Sequence, residues 1–162
     1  YSGFLYAGLM ITNNEPYLIE YNVRMGDPEC QTIMTLLETD LVNIIEATIA
    51  GKITDLEISW KKEKSMCIVL CSKGYPNTYK KNIEIDKIDN LILDKKSLVF
   101  HAGTYEKNGK IYSNGGRVLN FVTLSNSLLE ARKKGSSLIK KLNWNNGFFR
   151  KDIGWKSIIN NK

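Results

Sequence analysis

Apolar residues run almost unbroken through Phe4-Leu5-Tyr6-Ala7-Gly8-Leu9-Met10-Ile11, which predicts a buried strand. Thr12-Asn13-Asn14-Glu15-Pro16 carries turn chemistry, and Tyr17–Val23 reads as the returning strand of a hairpin. After the loop Arg24-Met25-Gly26-Asp27-Pro28-Glu29 the spacing changes. Ile33, Leu36, Leu37, Leu41, Ile44, Ile45 and Ala47 recur at helical intervals, predicting one or two helices with Asp40 as an N-cap and Gly51 as a stop. Beyond Trp60-Lys61-Lys62 the pattern becomes β-rich. Strands are predicted at Ser65–Ser72, Ser97–Ala102 and Arg117–Leu124, with a turn at Gly74-Tyr75-Pro76-Asn77. Lys107-Asn108-Gly109-Lys110 and Ser113-Asn114-Gly115-Gly116 are hairpin cues. A helix capped by Ser125 or Ser127 follows to about Leu142, with Leu128, Leu129, Ala131, Leu138, Ile139 and Leu142 on its apolar side and Gly135 weakening its middle. The fold class is α+β, divided into residues 1–60 and 61–162.

Charge follows the same division. Residues 1–60 hold Arg24 and Lys52 against nine acids, whereas residues 61–162 hold 21 bases against eight acids. The bases of the second part are mostly dispersed lysines, the signature of a solvated surface rather than a nucleic-acid stripe. With 43% hydrophobic and 25% charged residues the composition is that of a globular chain. No apolar run is long enough for a membrane span. The one histidine, His101, leaves little choice for a triad or a His-rich metal site. Cys30, Cys67 and Cys71 are an odd set that reads as reduced thiols, which with no leader segment points to the cytoplasm. The chain starts at Tyr1 inside an apolar strand, which suggests a piece of a longer protein.

Chemistry concentrates in Glu20-Tyr21-Asn22-Val23-Arg24-Met25-Gly26-Asp27-Pro28-Glu29. In a strand, residues two apart share a face, so Glu20, Asn22 and Arg24 project together. A carboxylate and an amide oxygen side by side are hard donors suited to Mg²⁺, which takes one or two protein ligands and completes its shell with phosphates and water. An arginine one step further suits a phosphoryl or carboxylate oxygen. Spacing alone leaves another reading open, in which these residues are the polar face of an edge strand.

The string Glu-x-Asn-x-Arg-x-Gly-Asp-Pro-Glu, preceded by Leu5-Tyr6-Ala7-Gly8-Leu9-Met10, resembles the end of the ATP-grasp domain in the phosphoribosylamine–glycine ligase (glycinamide ribonucleotide synthetase) family. The resemblance continues in order through Gly74-Tyr75-Pro76, Phe100-His101-Ala102-Gly103-Thr104, Asn114-Gly115-Gly116-Arg117-Val118-Leu119 and Phe149-Arg150-Lys151-Asp152-Ile153-Gly154-Trp155. Met25 departs from the phenylalanine usual at its position. The resemblance implies that residues 1–60 end an ATP-grasp domain of antiparallel strands and helices, and that residues 61–162 form a small β-rich C-terminal domain with one long helix. It implies ATP-dependent joining of glycine to 5-phosphoribosylamine through a glycyl phosphate, the second step of purine synthesis. Glu20 and Asn22 would hold Mg²⁺ or Mn²⁺, and Arg24 would serve the transferring phosphoryl group or the glycine carboxylate. Gly26 and Asp27 would contribute to substrate binding. Asn114-Gly115-Gly116-Arg117 reads either as a plain hairpin turn or as a backbone nest facing the phosphoribosyl group, with Gly115 and Gly116 in the nest and Arg117 as anion partner. The rest of the ATP site would lie in an N-terminal part of the same enzyme, so this segment alone should not turn over.

Three other readings were open. Another ATP-grasp ligase or carboxylase shares the Glu-x-Asn-x-Arg core but not the Gly-Asp-Pro-Glu that follows. A non-catalytic nucleic-acid-binding module would need a basic stripe or stacking aromatics. A purely structural domain would give Glu20, Asn22 and Arg24 no reason to share a face. His101 reads either as a satisfied strand residue or as a substrate-lining one, and Trp60, Trp144 and Trp155 read as packing residues. Ser72-Lys73-Gly74-Tyr75 lacks the spacing of a phosphate loop and reads as a turn.

Overall fold

The computed structural model describes residues 1–160 as a mixed α/β chain that divides into two compact units, Tyr1–Lys61 and Lys62–Lys162. In the first unit, β1 (Tyr6–Thr12) and β2 (Glu15–Asn22) pair antiparallel around Asn13 and Asn14. Both asparagines have positive φ, +54° and +64°, as a two-residue hairpin turn twisted to match its strands requires. The register runs from Thr12 opposite Glu15 to Tyr6 opposite Asn22 and slips by one residue at Gly8/Leu9. The strand expected to be buried is not: Leu9, Met10 and Ile11 are 52–62% exposed, and Tyr17, Leu18, Ile19 and Tyr21 on β2 are 50–62% exposed.

The helical pattern resolves into two helices, α1 (Glu29–Leu36) and α2 (Leu41–Ile49). They separate because Leu37 is extended and because Asp40 caps α2, accepting the Val42 N–H at 2.7 Å. Gly51, at φ +68°, ends α2. The Gly51 N–H donates to the Thr48 carbonyl and the Lys52 N–H to that of Ala47, a Schellman closure. The segment leading out of the unit returns to the end of α1. Lys61 donates its N–H to the Leu36 carbonyl and its Nζ to the Thr35 carbonyl, both at 2.8 Å.

The second unit contains β3 (Lys64–Ser72), β4 (Ile83–Glu84), β5 (Ser97–His101), β6 (Thr104–Lys107), β7 (Lys110–Ser113), β8 (Arg117–Ser125), α3 (Leu128–Leu142), β9 (Gly147–Phe148) and α4 (Trp155–Asn160). Two antiparallel sheets result, ordered β5-β8-β3-β9 and β4-β7-β6. Ile68 faces Phe121 and Leu70 faces Leu119 across β3 and β8. With Met66 these side chains form the core, together with Ala131, Leu138, Ile139 and Leu142 of α3. Ser127 caps α3 by accepting the Glu130 N–H, and Asn143 closes it in the left-handed region. Gly135 has a packing reason in mid-helix. A Cβ there would stand 3.3 Å from Ile68 Cδ1 and 3.4 Å from Thr123 Oγ1, so the missing side chain lets α3 lie close on the sheet. Thr123 Oγ1 donates to the Ala131 carbonyl at 2.7 Å along the same contact.

Two expectations change here. Asn108-Gly109 is the predicted hairpin turn, with both residues at positive φ. Ser113-Asn114-Gly115-Gly116 is not a hairpin, because β7 and β8 belong to different sheets and this segment carries the chain between them. Of the three tryptophans, only Trp144 is buried, its Nε1–H donating to the Glu84 carbonyl at 3.0 Å. Trp60 and Trp155 are 49% and 46% exposed.

An ion pair fastens the loop before β5 to α3. Lys134 Nζ lies 2.7 Å from Asp94 Oδ2 and holds the Asp94 carboxyl below its ordinary value of 3.8. The folded state therefore favours the ionised form. The stabilisation is complete above the ordinary carboxylate range and is lost as pH falls through the lowered value. Asp94→Asn is expected to flatten the acid limb of a denaturant-midpoint-versus-pH curve below pH ~4 and to lower the midpoint only slightly above neutrality, because the pair is exposed. An unchanged acid limb would contradict this.

Candidate functional site

The end of the hairpin gathers the polar groups of the first unit. Asn22 Nδ2 donates to Glu20 Oε1 at 2.9 Å, so the two side chains expected to share a face are in contact. Glu20 is exposed and Asn22 half-buried, which leaves both within reach of a ligand. Tyr6, opposite Asn22 across the hairpin, donates its hydroxyl to Glu29 Oε1 at 3.2 Å. The Glu29 charge and hydrogen bond raise the Tyr6 phenol above its usual value, and Glu20 adds to the shift. Sequence reasoning gave neither Tyr6 nor Glu29 a role.

Arg24 does not join Glu20 and Asn22 on a strand face. β2 ends at Asn22, Arg24 lies in the bend beyond it, and its Nη1 donates to the Met25 carbonyl at 3.1 Å. The chain then closes tightly, with the Cys30 N–H donating to the Gly26 carbonyl at 2.8 Å at the start of α1. A Cβ on Gly26 would run into the Glu29 carboxylate, so the absence of a side chain there makes room for that group. Asp27 Oδ1 accepts from Gln31 Nε2 at 3.3 Å.

Among the described residues no three His, Cys, Asp or Glu side chains converge as a metal-holding group. Glu20 and Asn22 instead offer a carboxylate and an amide oxygen from one strand end. That donor set fits Mg²⁺ or Mn²⁺ carrying phosphate and water in the remaining positions, and does not fit a closed all-protein cage.

In the second unit, Arg117 begins β8 and is exposed. The turn before it is built differently from a phosphate nest. The N–H groups of Asn114 and Gly115 both donate to the Gly103 carbonyl, at 2.7 and 3.2 Å, so these donors already have a protein oxygen as partner. Ser72 holds the other side, its Oγ donating to the Gly115 carbonyl and its N–H to that of Gly116, both at 2.8 Å. The glycines serve close packing. A Cβ on Gly103 would stand 2.5 Å from the Arg117 carbonyl oxygen and 2.7 Å from Gly115 Cα, and one on Gly116 would enter the Tyr75 ring. His101 shares a 2.9 Å hydrogen bond between Nδ1 and Thr104 Oγ1 across the start of this loop. Arg117 stands opposite Cys71 across β3 and β8; burial raises the Cys71 thiol above its usual value, and the Arg117 charge partly offsets that.

Comparison with known proteins gives the family. A family profile described as phosphoribosylglycinamide synthetase, C domain, matches residues 65–156, and one described as phosphoribosylglycinamide synthetase, ATP-grasp (A) domain, matches residues 1–30. A phosphoribosylamine–glycine ligase of Agrobacterium fabrum is 46% identical over 162 residues, covering all of this chain and 38% of the relative. The chloroplastic phosphoribosylamine–glycine ligase of Arabidopsis thaliana is 41% identical over 160 residues, covering 96% of this chain and 30% of the relative. The crystal structure of phosphoribosylamine–glycine ligase from Thermotoga maritima superposes with a TM-score of 0.75 at 35% identity, covering 91% of this chain and 36% of that one. The chain thus spans about a third of the length of these relatives, 30–38%. Since the C-domain profile alone accounts for over half of the 162 residues, the chain belongs to the phosphoribosylglycinamide synthetase family.

Proposed function

We propose that this chain is the C-terminal part of a phosphoribosylamine–glycine ligase. That enzyme would use ATP to join glycine to 5-phosphoribosylamine, giving glycinamide ribonucleotide, ADP and phosphate. In this reading residues 1–60 end the ATP-grasp domain and residues 61–162 are the C-terminal domain, in a cytoplasmic enzyme. The observation that carries the reading is the contact between Glu20 and Asn22 at the hairpin end, which pairs a carboxylate with an amide where a phosphate-bridging cation needs two oxygens. When bound, Mg²⁺ or Mn²⁺ supplies charge neutralisation for the ATP phosphates. Glu20 and Asn22 would hold it.

Arg24 is assigned to the glycine carboxylate or the phosphoryl group passing onto it. Arg24 follows the metal-holding pair by two residues in the bend after β2, and its planar donor fork suits a carboxylate or phosphoryl oxygen. The carboxylate oxygen attacks the γ-phosphorus and ADP leaves. The amine of phosphoribosylamine then attacks the acyl carbon, and phosphate departs with the amide formed. Asp27, beside Gly26, suits an amine of one substrate. Arg117 suits the ribose phosphate, with Gly115 and Gly116 contributing through their missing side chains rather than as a nest.

The exposed hairpin supports a larger parent. Two strands that show Leu9, Met10, Ile11, Leu18 and Ile19 to solvent cannot stand alone in water, since a lone two-stranded ribbon is at best marginally stable. The rest of the same enzyme is the partner that would cover it. The test is a coupled ADP-release assay with glycine, phosphoribosylamine and Mg²⁺, on the full-length polypeptide and on the 162-residue chain. ADP release that requires both substrates in the full-length protein and is absent from the 162-residue chain is expected. Turnover by the short chain, or a full-length protein indifferent to glycine, would overturn the reading.

A further inference from the structure

The carboxylate of Glu29 sits at the first position of α1, where it could serve its own helix terminus, yet it turns away. Its Oε1 accepts the Tyr6 hydroxyl at 3.2 Å, and its other oxygen occupies the space that a Cβ on Gly26 would need. Tyr6 belongs to β1 and stands opposite Asn22, whose amide in turn holds Glu20. One continuous run of contacts therefore joins the turn carrying Arg24 and Asp27 to the strand end carrying Glu20 and Asn22.

We propose that Glu29 is a positioning residue of the ligase site: through Tyr6 and the side-chain-free Gly26 it locks the Arg24–Pro28 turn against the strand end that presents Glu20 and Asn22. The role rests on the ligase reading above and deepens it. It needs an acceptor oxygen at position 29 rather than a negative charge, and that separates it from a ligand role. Gly26 follows from the same geometry, since its missing side chain keeps the Glu29 carboxylate over the turn.

The experiment uses the full-length polypeptide and two readouts, Mn²⁺ affinity by electron paramagnetic resonance and kcat and KM for ADP release, with Glu20→Ala as reference. Glu29→Ala and Tyr6→Phe are each expected to raise the KM for glycine roughly tenfold, the size of one hydrogen bond to a charged group. Their combination should be no worse than either alone, because both break the same contact. Glu29→Gln keeps an oxygen for Tyr6 and should return the KM to within about threefold of the parent. Mn²⁺ affinity should change far less in these variants than in Glu20→Ala. If Glu29→Gln is as impaired as Glu29→Ala, or if the two single variants add, the positioning role is wrong although the ligase reading stands. If Glu20→Ala changes neither readout, the strand end is not the metal-holding site and this inference falls with it, whereas ADP release indifferent to glycine in the full-length polypeptide overturns the ligase reading.

Discussion

Glu20→Ala in the full-length polypeptide is expected to lower kcat for ADP release by roughly 10²–10³-fold, the cost of losing one preorganised electrostatic partner of a transferring phosphoryl group. In the proposed site Glu20 is the dominant member of its pair. It supplies a full negative charge, while Asn22 supplies an amide dipole and also donates to Glu20, holding the carboxylate in place. Asn22→Ala should therefore cost less, roughly 10–100-fold, in the range of groups that orient a metal ligand. Glu20→Gln should fall nearer to Glu20→Ala than to the parent, because it preserves shape and loses charge. Raising Mg²⁺ should rescue Asn22→Ala more fully than Glu20→Ala. A Glu20→Ala enzyme within threefold of the parent at all Mg²⁺ concentrations would remove Glu20 from the metal-holding role.

Much of the fold was legible because local chemistry and burial pattern agreed. The β3 and β8 runs, the Ser127 cap of α3 and the Asp40 cap of α2 each follow from residues whose preferences point one way. The apolar run in β1 was legible as a strand, but its burial was not. Burial depends on what packs over both faces, and nothing within the first unit does so. The site was legible only along one strand. Glu20 and Asn22 share a face by simple alternation, and their contact follows from it. Arg24 fell outside because the strand stops two residues short of it, and the sequence gives no mark of that stop. Tyr6 was hidden by the register. Counting back from the Asn13-Asn14 turn sets Tyr6 opposite Tyr21, and the one-residue slip at Gly8/Leu9 moves it opposite Asn22. A glycine inside a strand was the available hint, since it often marks such a bulge.

Gly103→Ala should damage the second unit at the point where packing meets chemistry. The added Cβ would meet the Arg117 carbonyl oxygen at 2.5 Å and Gly115 Cα at 2.7 Å. Both are backbone, so no side-chain rotation relieves the clash and one strand of the turn must move. Overpacking of this kind costs about 1–3 kcal/mol, readable as a lower urea midpoint with an unchanged slope. The displaced segment is the one that accepts from Ser72 and launches β8, so Arg117 moves with it. Gly109→Ala is the control, for no atom lies within 4 Å of its Cβ position, and the cost there is confined to backbone strain at φ +72°. In the full-length polypeptide Gly103→Ala should raise the KM for phosphoribosylamine several-fold, with the KM for ATP nearly unchanged. Gly109→Ala should leave both constants alone. If Gly103→Ala lowers stability without touching the phosphoribosylamine KM, Arg117 is not the anion partner. The Gly103–Gly115 contact is then a packing feature of the second unit, with no part in holding substrate.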